Sequence, residues 1–247
     1  MWVISPDGSI KRKLVSFPDK NIGQLYVYAW SYDSSQIAYV ETHPYKKEGP
    51  APITVGLLDL ATDTISEISS HHPAGDPMPI SWSPDGRYLV FAKDFSYVVY
   101  EAATRKVVQE IKSQYGCWIG WHTWSPNSKW FIHTHSGTGA PWTCVSGLDG
   151  SNREIHINGA IFLPAWDKTG NILYLAAQTS NLRNEPNIDT EHQLLRYDVR
   201  KQETKILLSF KEKASPYQYM WTVSISPDGN TLEWIQLTQK SNNPISL

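Results

Sequence analysis

A unit of strand, tight turn and strand recurs five times along this chain, and few folds can absorb such a repeat. The copies are Ala29-Trp30-Ser31-Tyr32-Asp33-Ser34-Ser35-Gln36-Ile37, Ser81-Trp82-Ser83-Pro84-Asp85-Gly86-Arg87-Tyr88-Leu89, Thr123-Trp124-Ser125-Pro126-Asn127-Ser128-Lys129-Trp130, Ala165-Trp166-Asp167-Lys168-Thr169-Gly170-Asn171-Ile172 and Ser224-Ile225-Ser226-Pro227-Asp228-Gly229-Asn230-Thr231. The turn chemistry has a mechanism: Pro presets the first torsion, Asp or Asn bonds the backbone just ahead, and Gly accepts a positive φ. Equivalent positions (Trp30, Trp82, Trp124, Trp166, Ile225) lie 52, 42, 42 and 59 residues apart. After each hairpin comes a second pair of runs, such as residues 53–60 and 64–68 around the polar turn Ala61-Thr62-Asp63.

Periods of this length, each holding four short antiparallel strands (a to d), predict the blades of an all-β propeller. The chain opens on one pair of runs (residues 2–4 and 10–15) and closes on another (219–225 and 231–238). The strand count therefore predicts a single domain over residues 1–247, a five-bladed ring closed by the first pair, as strands c and d, beside the last pair, as a and b. A fragment of a six- or seven-bladed ring is the alternative. Trp30, Trp82, Trp124 and Trp166 are expected to be structural, each hiding roughly 150–250 Å² between adjacent blades.

The Trp-Ser-Pro-Asp-Gly turn followed by a short apolar strand resembles the TolB-type relative of the WD repeat, over nearly the whole chain. Ile225 departs from the pattern, as do the turns Asp33-Ser34-Ser35 and Lys168-Thr169-Gly170. The resemblance implies a fold rather than an activity, because such repeats occur in periplasmic scaffolds, in the propeller gates of prolyl-oligopeptidase-like peptidases and in oligogalacturonate lyases.

Composition narrows the partners. A net charge of −2, with no basic run beyond Lys11-Arg12-Lys13, leaves no electrostatic footprint for nucleic acid or an anionic membrane. No apolar stretch approaches the roughly 18 residues that span a bilayer, and residues 1–8 lack the basic-then-apolar pattern of an export signal. The expectation is a soluble monomer without membrane insertion, its compartment open: periplasmic or extracellular if a signal was removed. Cys117 and Cys144 fall on strands a and c of one blade, roughly 9.6 Å apart by strand spacing, which predicts free thiols rather than a disulfide.

Topology separates two ends of every blade. The a–b and c–d turns share one face and read as fold punctuation. The b–c loops (42–52, 136–141, 178–193) and the d-to-a crossovers (69–76, 112–116, 211–218) share the other. Variable loops on a rigid scaffold are where binding usually lives. The candidate binding residues on that face are His71, His72, Tyr115, Trp118, His135, Trp142, Glu185 and Tyr217, with His43, Tyr45, Asp76, Asp189 and His192 nearby.

No catalytic constellation stands out. A Gly-x-Ser-x-Gly elbow is missing from the sequence, and Gly137-Thr138-Gly139 has no following Lys and reads as a hairpin tip. Glu185, Asp189 and Glu191 are expected on one solvated loop rather than as a catalytic pair. His122, His133 and His135 fall within one blade; the leading expectation is no cofactor, with a divalent metal in or near the central channel as the alternative. The function expected is noncatalytic binding or scaffolding of a protein, peptide or glycan. One alternative is a carbohydrate-active lyase or glycoside hydrolase that stacks sugars on Trp118, Trp121 and Trp221; the other is the propeller of a larger protein such as a peptidase.

Overall fold

The computed structural model describes residues 2–14, 25–42, 52–71, 80–112, 118–136, 142–155, 160–179, 189–213 and 219–237. Strands and their connections make up all of these residues, with no helix among them. β1 (Trp2–Ile4) and β2 (Lys11–Lys13) form a two-stranded sheet. Four-stranded sheets in chain order follow: β3 (Leu25–Trp30) to β4 (Gln36–Thr42), β5 (Ile53–Asp59) and β6 (Thr64–His71); then β7 (Ser81–Trp82), β8 (Tyr88–Lys93), β9 (Ser96–Glu101) and β10 (Lys106–Lys112); then β11 (Trp118–Trp124), β12 (Trp130–Ser136), β13 (Trp142–Gly147) and β14 (Asn152–Ile155). The last blade, β15 (Ala160–Trp166), β16 (Ile172–Thr179), β17 (Asp189–Asp198) and β18 (Glu203–Lys213), continues into β19 (Tyr219–Ile225) and β20 (Leu232–Leu237). Here the inner strands β15 and β19 run parallel, Leu163 opposite Thr222.

Every a–b hairpin is tied by the same hydrogen-bonded box, which explains why the turn residues recur. In the second copy Ser83 Oγ donates to Asp85 Oδ1 and accepts from the Tyr88 amide at 2.9 Å, while Asp85 Oδ1 accepts from the Arg87 amide. Gly86 closes the turn at φ +73°, with its amide on Ser83 O. Ser31, Ser125 and Ser226 repeat the serine role with Asp33, Asn127 and Asp228. The fourth copy inverts the chemistry but keeps the bonds: Asp167 takes the serine's place, accepting from the Ile172 amide, and Thr169 supplies the hydroxyl. A sixth box, Ser5 with Asp7 and the Ile10 amide, joins β1 to β2 in the sequence Ile4-Ser5-Pro6-Asp7-Gly8, the same five residues as Ile225-Ser226-Pro227-Asp228-Gly229.

The chain divides into two compact units, Met1–Trp121 and His122–Leu247. In the first, one core lies between the β3–β6 and β7–β10 blades: Ala38, Val40, Ile53, Val55 and Leu57 meet Trp82, Leu89, Phe91, Val98 and Tyr100. Trp82, 9% exposed, wedges there and donates its indole N–H to Ala29 O at 3.2 Å. Trp30 corrects the expectation for its class, for it is 44% exposed. The sheet preceding it, β1–β2, has only two strands, and these pack Val3 and Leu14 on Ile37, Tyr39 and Leu58 instead of walling the indole. β1 is hydrogen-bonded to β2 and β20 to β19; the closing ladder expected between residues 2–4 and 231–238 is not among the strand pairings of the described residues.

In the second unit Trp124 is 7% exposed and lies against Phe131, ring centres 5.3 Å apart, whereas Trp166 is only half-buried. Asn127 shows why one copy departs from aspartate. Its amide nitrogen donates to Thr169 O at 2.7 Å and Gly170 O at 3.1 Å in the next blade's turn, two carbonyls that a carboxylate would repel. Cys144 is buried; Cys117, the other cysteine, lies outside the described residues.

Three histidines of this unit are core residues. His133 is buried, with Nε2 2.8 Å from Ser146 Oγ, and His192 stacks on its cross-strand partner Phe210. His122 is buried too, and burial pushes its pKa down to about 4. Because the folded value lies below the unfolded one of about 6.5, this stabilisation is complete above pH 6.5 and is lost as pH falls toward 4. A loss of about 3 kcal/mol over that window is the expected contribution. Chemical denaturation at pH 7 and pH 4.5 checks it: His122→Phe should flatten the pH dependence, and an unchanged slope contradicts the assignment.

Candidate functional site

The two ends of the blades differ in what they have left to offer a ligand. At the turn end, the serine and carboxylate side chains of the boxes are engaged by their own backbone, as are Asp59 with the Ala61 and Thr62 amides and Asp198 with Arg200 and Lys201. Hydrogen bonds from the box serines, and after them from backbone amides, hold the carboxyls of Asp33 and Asp228 below the usual range and that of Asp7 down to about 2, and the Thr62 amide and hydroxyl lower that of Asp59. Such groups are committed to shape.

The opposite end varies from blade to blade. In β7–β10 the b–c connection is two residues, Asp94 and Phe95, with Asp94 at φ +52° and Phe95 44% exposed at the tip. Elsewhere the b–c connection spans 43–52, 137–141 and 180–188.

His71 ends β6, half-buried, with Nδ1 3.2 Å from Ser69 Oγ. Trp118 opens β11, and His135 and Trp142 stand directly opposite each other in the β12–β13 ladder, so the strands do bring this pair together at the loop end. The side chains of Trp118, His135 and Trp142 lie outside what is described, as do His72, Tyr115, Glu185 and Tyr217 altogether.

The acidic loop needs correction. β17 begins at Asp189, so Asp189 and Glu191 are strand residues facing Lys213 and Lys211 across the β17–β18 ladder rather than members of a free loop. Glu191 accepts from Ser209 Oγ at 2.6 Å and from Gln193 Nε2 at 3.1 Å, and these bonds hold its carboxyl below the ordinary range. Among the described residues no three His, Cys, Asp or Glu side chains are grouped to hold a metal ion. No described helix is long and apolar enough to cross a membrane.

The strand registers disclose polar rows on two facing blades that linear reading missed. Residues directly opposite in an antiparallel pair, and those two apart along a strand, share a sheet face. Thr42, Ile53 and His71 form one row, and Val40, Val55 and Ser69 the next. Because Val40, Ile53 and Val55 belong to the core between the two blades, Thr42, Ser69 and His71 face the same interblade space at its loop end. From the other side, Lys93, Ser96 and Lys112 form one row, next to the row of Phe91, Val98 and Glu110. Phe91 and Val98 belong to that same core, so the two lysines and Ser96 also face it. Only the spacing of two in Tyr88-Leu89-Val90-Phe91-Ala92-Lys93 hinted at this; the pairing across strands was needed to complete it.

Comparison with known proteins bears on the fold. No protein-family model matches the chain, and no curated protein matches it. Among solved structures it is similar to TolB from Acinetobacter baumannii, at 21% identity over 94% of this chain and 52% of that one, TM-score 0.51. It is also similar to an oligogalacturonate lyase from Vibrio parahaemolyticus (10% identity, 94% of this chain and 67% of that one, TM-score 0.59). A third likeness is to the β-propeller domain of the Trilobed protease from Pyrococcus furiosus (12% identity, 96% and 68%, TM-score 0.56). The chain spans about half the length of that TolB chain. With the four-stranded sheets described above, these likenesses identify a TolB-like β-propeller fold.

Proposed function

We propose that this propeller is a noncatalytic binding module that holds a protein, peptide or glycan at the loop ends of its blades. The observation that carries the reading is the contrast between the two ends. The turn end spends its polar side chains on its own backbone in six near-identical boxes, whereas the loop end changes length from blade to blade and presents Phe95 and the row of Lys93, Ser96 and Lys112. His71, His72, Tyr115, Trp118, His135, Trp142, Glu185 and Tyr217 are the residues assigned to contact the ligand, the aromatics as low-entropy anchors.

Screening the full chain against peptide and glycan arrays, followed by substitution at each end, tests this. Binding weakened by Phe95→Ala and Trp142→Ala but indifferent to Lys129→Gln, on the turn end, is the expected outcome; the reverse pattern overturns it. The competing reading is a carbohydrate-active lyase or hydrolase using a divalent metal. It predicts stoichiometric metal in purified protein and product from an acidic polysaccharide, and binding without turnover separates the two.

A further inference from the structure

We infer that the loop end of the space between the β3–β6 and β7–β10 blades is an oxyanion-binding site, taking a carboxylate or a phosphate or sulfate group of the ligand. The inference rests on the loop-end reading and gives it a ligand chemistry.

Its ground is the convergence set by register. Lys93 and Lys112 flank Ser96 in one row, their Cα atoms two strand spacings, roughly 9.6 Å, apart. That is a span across which two flexible ammonium groups can close on one anionic group from either side. Ser96 between them is buried and Lys93 half-buried, so this row marks the boundary where the apolar core gives way to solvent. The blade facing it contributes Thr42, Ser69 and His71, two hydroxyls and an imidazole, each half-buried. Among the described residues the acidic groups nearest this row are Glu110, exposed and one row deeper than Lys112 on the same face, and Asp94, exposed beside Lys93 in the turn.

The tight turn at Asp94-Phe95 follows directly on Lys93 and so places it at the loop end of β8. The donors are of the type that binds oxygen anions well: ammonium groups and hydroxyls whose bonds to an ionised acceptor are roughly twice as strong as neutral ones.

The test uses the whole chain and simple probes: sodium phosphate, sodium sulfate and sodium glucuronate, each titrated against sodium chloride of equal ionic strength, with affinity read from thermal unfolding and from chemical-shift changes. Saturable binding of at least one oxyanion beyond the chloride baseline is expected. Lys93→Gln and Lys112→Gln should each weaken it about tenfold, while Lys129→Gln leaves it intact. Preference for phosphate and sulfate points to a phosphorylated or sulfated ligand, and preference for glucuronate to an acidic glycan or a peptide carboxylate. Both support the site. Absence of saturable binding by all three, or binding untouched by the double lysine variant, overturns it. If a neutral ligand still binds at the loop end, the binding-module reading survives that failure; loss through Lys129→Gln instead would bring down both.

Discussion

Alanine in place of Trp82 should lower the free energy of unfolding by about 3–5 kcal/mol, whereas the same change at Trp30 should cost roughly half of that or less, in proportion to the surface it removes from water. The repeat treats the two residues as equivalents. Their surroundings are not: Trp82 belongs to the core cluster that also holds Ile80, Leu89, Phe91 and Val55, with Val27 and Ala29 packed against that cluster, and its indole N–H reaches Ala29 O. Trp30 leaves nearly half of its surface in water. Truncating Trp82 leaves a cavity and removes the indole hydrogen bond to Ala29 O; truncating Trp30 leaves no cavity on the same scale. Urea titration of both variants decides it. Equal losses at the two sites would contradict the description of the seam, and phenylalanine at position 82 should recover most of the packing but not the hydrogen bond.

Adding one methyl group at Gly56 is the second large effect expected, a loss of about 1–3 kcal/mol for Gly56→Ala. A Cβ there would collide with Tyr39 Cζ and lie 2.5 Å from its hydroxyl oxygen. Tyr39 is the cross-strand partner of Gly56 and is buried, so its ring covers the bare backbone and has no room to swing away. The entropy gained from the unfolded chain when glycine becomes alanine, about 0.4–1 kcal/mol, works in the opposite direction and is too small to reverse the sign. Tyr39→Leu should relieve the clash, so thermal unfolding of the double variant should show a smaller loss than the two single changes summed; strict additivity would mean that the ring is not the obstacle. Trp130 over Gly147 repeats the device in the β11–β14 blade, with a Cβ at Gly147 meeting the indole at 2.6 Å.

The site was less legible than the fold. That His71, His135 and Trp142 lie at the loop ends of their strands followed from loop topology alone, because strand ends can be counted along a chain. Asp189 to Gln193 were misread as loop since their charges resemble a solvated tip, and only the ladder with β18 revealed a strand that keeps those charges at its edge. Lys93 and Lys112 lie nineteen positions apart and carry no motif. Nothing short of register could place them in one row.

What the chain determined by itself was local: six boxes in which a hydroxyl or carboxylate two to five residues from its partner amides closes a hairpin, and the alternation that makes each run a strand. Those bonds form between near neighbours, so their chemistry is written in order along the sequence. Which tryptophan is sheltered, which glycine must stay bare and which lysines share a row were decided by residues dozens of positions away. Side-chain burial depends on what the folded chain brings up against each face, and that is a property of assembled blades rather than of any one of them.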